Sequence, residues 1–219
     1  MKPLRFLVSA GPTREYIDPV RFISNPSTGM MGFAVAKAAL DDGHRVVLVT
    51  GPVALEPPRG ARVVRVVTAR DMRRAVLECL PACDVLVMTA AVGDYRPARR
   101  HARKLHKTTR ALSLTLVRTP DILRDVRRRA TGQVLIGFAA ETHRIRSSAA
   151  RKLEAKGLDM IVANDVGSEG AGFGARDLRA WVLFRSGATA KLGTMPKRRV
   201  ARYIVRAAER LRKEKQGNA

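Results

Sequence analysis

Cysteine is scarce: two in 219 residues, too few for a disulfide framework. Cys79 and Cys83 are separated by Leu80-Pro81-Ala82, which is not a CxxC, and no His/Cys cluster has metal-ligand spacing. Both read as ordinary buried thiols. Aromatics make up 5% of the chain, and few lie near the basic stretches, where they would be needed to stack bases. No apolar run approaches ~18 residues, so no membrane span is expected. The N-terminal apolar run is too short for a signal peptide and has no small-residue cleavage site, so a cytoplasmic protein is expected. The loop after the first strand reads Gly11-Pro12-Thr13, not GxGxxG, and the second strand ends in Thr50-Gly51-Pro52 rather than an acid. An NAD-linked oxidoreductase is disfavoured on both counts. Acids are also few, 19 against 42 Lys and Arg, for a net charge of +23.

What is present is a foldable chain. The apolar fraction, 46%, is enough for a core, and one domain over residues 1–219 is expected. Arg outnumbers Lys 32 to 10, and the excess is spread along most of the chain. Two regions stand out. Arg99–Arg110 holds six cations and no acid. Lys197–Lys215 holds nine cations against Glu209 and Glu214, but Val200, Ile204, Ala207, Ala208 and Leu211 recur at helical spacing. The second region is then the solvated face of a surface helix, and Lys213–Ala219 is expected to fray.

Strand and helix patterns alternate. Arg5–Ala10, Arg45–Thr50, Arg62–Val67, Val85–Thr89, Val134–Phe138 and Met160–Ala163 read as buried strands, and Leu112–Val117 as an alternating one. Helices are predicted from Gly29 to about Asp42, with Ser27 or Thr28 as cap, at Ala69–Leu80 behind Thr68, at Pro120–Arg129, and at Ile145–Lys156 before Gly157. Arg179–Phe184 and Thr189–Leu192 read as a hairpin. The expected fold is α/β: a Rossmann-like, mostly parallel sheet covered by helices, with a small antiparallel hairpin that could serve dimerisation.

Ligands of such sheets bind beyond the strand carboxyl ends, so residues after strands carry the functional signal. The first such loop runs over fifteen residues before its helix, and long loops are often functional. It holds Arg14, Glu15, Asp18, Arg21, Ser24 and Asn25. Ser27-Thr28-Gly29 then brings backbone N–H groups to a helix N-terminus, which suits an anion or simply a cap. Asp94 and Arg96 follow the small-residue turn Ala90-Ala91-Val92-Gly93. An Asp there can accept from ribose hydroxyls or hold a metal, or form a surface pair with Arg96. Lys104-Leu105-His106-Lys107 lies in the acid-free basic segment, where ammonium groups can close over a polyphosphate. Lys152 and Lys156 share a helix face, where like charges repel unless an anion sits between them. Met88 and Phe138, at strand ends, could be core or the wall of a base pocket.

Taken together, these segments resemble the phosphopantothenate–cysteine ligases of coenzyme A biosynthesis. The likeness is carried by Ser9–Glu15, Ile17–Asn25, Ser27–Ala34, Ala90–Pro97, Gly137–Thr142 and Ala163–Asp165. The block Arg21-x-Ile23-Ser24-Asn25-x-Ser27-x-Gly29 is the most specific. The resemblance implies a ligase that activates 4′-phosphopantothenate with CTP, as bacterial members do, and joins it to cysteine. It implies Mg²⁺ with the triphosphate, a homodimer, and no flavin within this length. On it, Asn25 matches the residue that handles the acyl-nucleotide, Arg21 a nearby functional Arg, and Lys104 the loop Lys that assists acyl-nucleotide formation. Nucleotide-binding positions match Met88, Thr89, Ala90 and Asp94, then Val117, Arg118, Thr119 and Pro120, then Phe138, Lys152 and Lys156. The chain departs from the family pattern at Thr119, where Asn is usual, at Gly93, where Ala is common, and at His106, where the basic loop usually has Lys. Two other readings remain: a basic nucleic-acid- or nucleotide-binding protein without ligase activity, and a member of the family that has lost activity. Retention of Asn25, Lys104 and Lys152 opposes the last.

Overall fold

The computed structural model describes residues 2–106, 111–167 and 176–217. Twelve strands and five helices follow the alternation of the sequence. In chain order they are β1 (Arg5–Ala10), β2 (Arg14–Tyr16), β3 (Phe22–Ser24), α1 (Met30–Asp41), β4 (Arg45–Thr50), β5 (Arg62–Arg65), α2 (Ala69–Cys79), β6 (Val85–Met88), β7 (Tyr95–Pro97), β8 (Leu116–Arg118), α3 (Ile122–Arg129), β9 (Val134–Glu141), α4 (Ile145–Ala155), β10 (Met160–Asp165), β11 (Asp177–Phe184), β12 (Thr189–Pro196) and α5 (Lys197–Gly217).

Eight strands form one sheet in the order β12-β11-β10-β9-β6-β1-β4-β5. The six from β10 to β5 run parallel, and β11 and β12 add an antiparallel edge. Successive side chains of a strand face opposite ways, and β1 shows the result. Phe6, Val8 and Ala10 pack with α1 and α5 on one face, whereas Leu7 packs with α2 and the β6–β9–β10 residues Leu86, Leu135 and Ile161 on the other. Both faces are covered, which is why the parallel strands read as unbroken apolar runs.

Caps set two of the helices. Thr68 and Asp71 form a capping box at the start of α2, and Asp121 accepts from Arg124 N–H at the start of α3. Helix α1 differs from the expectation: neither Ser27 nor Thr28 caps it. Its N-cap is Gly29, in the left-handed region at φ 80°, with no side-chain cap bond. Gly32 lets α1 lie close against the sheet, since a Cβ there would come within 2.5 Å of Ala10 Cβ and Thr89 Oγ1.

Other boundaries also move. Pro120 lies before α3 rather than in its first turn. The strand expected over Leu112–Val117 is confined to Leu116–Arg118 and lies outside the main sheet, paired with β7 in a two-stranded ribbon. The hairpin near the C-terminus is the β11–β12 edge of the main sheet. Helix α5 continues to Gly217 instead of fraying at Lys213, because Lys215 Nζ donates to the Gln133 carbonyl and pairs with Asp159 at 2.8 Å. The expected solvated face is there: Arg198, Arg199, Arg202 and Arg206 are exposed, opposite buried Val200, Ile204 and Ala208. Cys83 is buried and Cys79 half-buried, and burial pushes the Cys83 thiol up to about 12. Among the described residues no helix is long and apolar enough to cross a membrane.

Candidate functional site

The chain order reverses on either side of β1: β4 and β5 build outward one way, and β6, β9 and β10 the other. A crevice at the carboxyl ends of the strands is expected at such a switch point. Here the loops after β1 and β6 are stitched together beyond the strands. Ala91 N–H donates to Gly11 O, and Thr13 N–H to Ala91 O. Buried Ser9 Oγ accepts from Ala90 N–H, and buried Thr13 Oγ1 from Gly93 N–H. The small residues Ala90–Gly93 permit this approach. Asn25 joins the same seam: its Nδ2 lies 3.3 Å from Ala91 O and 3.2 Å from Val92 O.

Two adjoining cavities open over this seam, of about 690 and 380 Å³. Ala90, Val92, Asp94, Phe138 and Lys152 line both. The larger adds Met88, Arg118, Thr119, Pro120 and Lys156, so it gathers most of the residues matched to nucleotide binding. Thr89 lines only the smaller cavity, and Val117 lines neither. The smaller is walled by Asn25, the first turn of α1, Asn164 and Lys197. First-turn N–H groups have no intrahelical acceptor, so this wall presents donors. A third cavity of about 770 Å³ lies beside Gly157, Leu158 and Arg185, at the opposite end of β10 from the crevice.

The two lysines do not face each other across an empty gap, as their spacing suggests. Lys152 pairs with Glu141 at 2.6 Å, and Lys156 pairs with Asp121. Burial alone would raise the Asp121 pKa, but the bonds from Lys156 and Arg124 N–H outweigh it and hold the carboxyl below its ordinary range. Each lysine thus carries a counter-ion that an arriving anion would have to displace or share.

Arg21 and Lys104 line neither cavity. Both belong to a unit beside the crevice. The long loop after β1 is not structureless: β2 and β3 pair as a hairpin, and Asp18 closes its turn. Arg21 Nη1 is 3.1 Å from Asp18 Oδ2. Lys104 is exposed, and the next residue, Leu105, donates its N–H to the same Asp18 oxygen at 3.2 Å. Burial would raise the Asp18 pKa, but the N–H groups of Val20, Arg21 and Leu105, with the Arg21 charge, hold it below its ordinary value. Lys107 and Arg110 lie outside the described residues.

The sequence placed Lys197 with the solvated face of α5 and Asn164 only within the Ala163–Asp165 likeness, whereas both border the smaller cavity. Lys197, at the start of α5, is 8% exposed, and burial pushes its pKa down. It lies three residues before Val200, on the buried face of the helix, and that spacing was the available signal. Asn164 Oδ1 is buried with no hydrogen-bond partner. Among the described residues no group of three His, Cys, Asp or Glu could hold a metal ion. Asp94 is the carboxylate common to both cavities, and an ion that arrives on a triphosphate needs only one or two carboxylates besides the phosphates.

Residues 1–211 match the family described as the DNA/pantothenate metabolism flavoprotein C-terminal domain. The Bacillus subtilis coenzyme A biosynthesis bifunctional protein CoaBC is 46% identical over 209 residues, 95% of this chain and 52% of that protein. The chain therefore spans about half the length of such curated relatives. A crystal structure of the C-terminal domain of CoaBC superposes with a TM-score of 0.83 at 40% identity, covering 98% of this chain and 100% of that one. The Streptococcus pneumoniae DNA/pantothenate metabolism flavoprotein gives a TM-score of 0.80 at 26% identity, over 94% of this chain and 98% of that one.

Proposed function

The chain belongs to the family of the DNA/pantothenate metabolism flavoprotein C-terminal domain, and from that premise we propose that it is a ligase joining 4′-phosphopantothenate to cysteine at the expense of CTP. The observation that carries this reading is the common wall of the two cavities. Ala90, Asp94, Phe138 and Lys152, from three separate segments, border a space for a nucleotide on one side and a space reached by Asn25 on the other. A reaction that first makes an acyl-nucleotide and then passes its acyl group to an amine needs such adjacency.

In the first step the substrate carboxylate attacks the α-phosphorus, the bond to the β-phosphate breaks, and pyrophosphate leaves with the electron pair. Charge grows on the departing phosphates. Lys152 and Lys156 lie at the nucleotide cavity to offset it, and Lys104 serves from the basic segment. In the second step the cysteine amine attacks the acyl carbon, CMP leaves, and the amine proton is released. The Asn25 amide is a neutral donor for the carbonyl oxygen on which charge develops, once an Nδ2 hydrogen turns to it from the Ala91 or Val92 carbonyl that holds it in the free protein. Mg²⁺ accompanying the triphosphate would be held through Asp94 and would neutralise phosphate charge. CTP is taken over ATP from the Lys104-Leu105-His106-Lys107 segment.

The working unit is taken to be a homodimer in the cytoplasm. Val20, Phe22 and Leu116 are 59%, 40% and 43% exposed, on the β2–β3 and β7–β8 ribbons beside the site. A second copy covering them would remove an apolar surface from water.

The test is pyrophosphate release by the purified chain with Mg²⁺, 4′-phosphopantothenate and cysteine, with CTP and ATP in parallel. Release that requires phosphopantothenate and is faster with CTP is expected. No release with either triphosphate would overturn the reading.

A further inference from the structure

Asp18 makes more bonds than its turn requires. Its side chain is fully buried. Oδ1 accepts the N–H groups of Val20 and Arg21, both at 2.8 Å, which are the bonds an Asp makes in closing a tight turn. Oδ2 does something different. It accepts from Arg21 Nη1 at 3.1 Å and from Leu105 N–H at 3.2 Å, so one oxygen joins a guanidinium to a backbone 87 positions away along the chain.

The segment it reaches has reason to leave. From Tyr95 to Arg118 there is no acid, while Arg96, Arg99, Arg100, Arg103 and Lys104 crowd its first half. Such a run repels itself and extends into water unless held. Its stem has two other holds on the same hairpin: His101 N–H donates to Ile17 O at 2.8 Å, and the Arg100 guanidinium lies 5.0 Å from the centre of the Tyr16 ring. Asp18 is the hold that carries negative charge and sits next to Lys104.

We infer that Asp18 is a positioning residue for nucleotidyl transfer: its Oδ2 sets Arg21 and the Lys104 segment in one register beside the nucleotide cavity. This rests on the ligase reading. Asp18→Asn is the informative change. The amide oxygen can still serve the turn, but the NH₂ group replaces Oδ2 and meets two donors, Arg21 Nη1 and Leu105 N–H. The hairpin should survive while the basic segment is released.

The experiment compares wild type, Asp18→Asn, Lys104→Gln and the double variant in pyrophosphate release from CTP and phosphopantothenate without cysteine. Thermal midpoints and tryptic cleavage within residues 99–104 are followed alongside. Asp18→Asn is expected to slow release by about tenfold to a hundredfold, as for a misplaced catalytic group. It should hasten cleavage at Arg99–Lys104, and it should add less than about twofold in the Lys104→Gln background, since coupled residues are not additive. Full multiplication of the two effects, or unchanged release, would overturn the role. If Asp18→Asn does not fold, Asp18→Glu takes its place: cleavage protection and release are expected to change together, and wild-type protection with slowed release also overturns the role. If wild type releases no pyrophosphate, the ligase reading and the positioning role fall together, and slow cleavage of wild type against fast cleavage of the variant would show the tether alone.

Discussion

The Thr119 hydroxyl donates to the Gly93 carbonyl at 2.6 Å, and Thr119 N–H donates to Asp94 O at 2.9 Å. The two positions near the nucleotide cavity where this chain departs from the family pattern are therefore one unit. Thr119→Val removes the hydroxyl and leaves the shape. It is expected to cost about 1 kcal/mol of stability and to raise the nucleotide KM severalfold by loosening the Asp94 turn. Gly93→Ala should be tolerated, because a Cβ there meets Glu15 Cγ and Thr13 Oγ1 at an ordinary 3.6 Å. Initial rates against CTP concentration, with a thermal melt of each variant, check both.

Asn25→Asp would set a carboxylate against the Ala91 and Val92 carbonyls and remove the donor. Acyl-nucleotide formation is expected to persist while its conversion to product falls by about a hundredfold or more, the usual scale for losing an oxyanion donor. Quenched reactions separated on an ion exchanger should show the acyl-nucleotide accumulating. Normal ligation by this variant would remove Asn25 from the second step.

Lys152→Ala deletes a charge that the nucleotide meets before and during reaction, so its main effect is expected on the CTP KM, about tenfold, with kcat changed little. Glu141→Gln works in the opposite direction. It frees Lys152 from its counter-ion and should lower that KM. A loss confined to kcat in the first variant, or a raised KM in the second, would contradict this account.

Asp84 accepts from Arg5 through both oxygens and is approached by Arg212 at 3.4 Å. The bond from the Arg5 guanidinium, foremost, holds the carboxyl below its ordinary value. A carboxyl that resists protonation in the fold stabilises it fully above its unfolded pKa of about 3.9, and that stabilisation fades as pH falls through the folded value. Because Arg5 is half exposed, about 1 kcal/mol is expected rather than more. Thermal midpoints should fall below about pH 4, and Asp84→Asn should start lower and decline less steeply.

The main sheet was legible because its parallel strands are buried on both faces, so β1, β4 and β6 appear as apolar runs bounded by turns. The two ribbons were not. β2, β3, β7 and β8 have three residues each, many of them exposed, and they depend on remote partners: Asp18 with Leu105, Thr119 with Gly93. The alternation Leu112, Leu114, Leu116 pointed to a strand that begins only at Leu116, because periodicity cannot tell whether a partner edge is within reach. Asn25, Asp94, Phe138 and Lys152 were each ambiguous alone, and the structure brings them to two adjoining cavities. The counter-ions of Lys152 and Lys156, Glu141 and Asp121, could not be read from helical spacing, since they come from outside that helix.

Helix α5 covers α1 and sets Lys197 in the wall of the smaller cavity. Translation makes these elements in the reverse order of need: α1 is finished at Asp41, while its cover begins at Lys197. A chain emerging from the ribosome therefore carries α1 without its cover until Lys197 and the residues after it are made, and the cavity cannot be complete until the α5 residues have cleared the exit tunnel. Chaperone contact with the nascent chain should concentrate on that stretch and end when Ile204 and Ala208 dock.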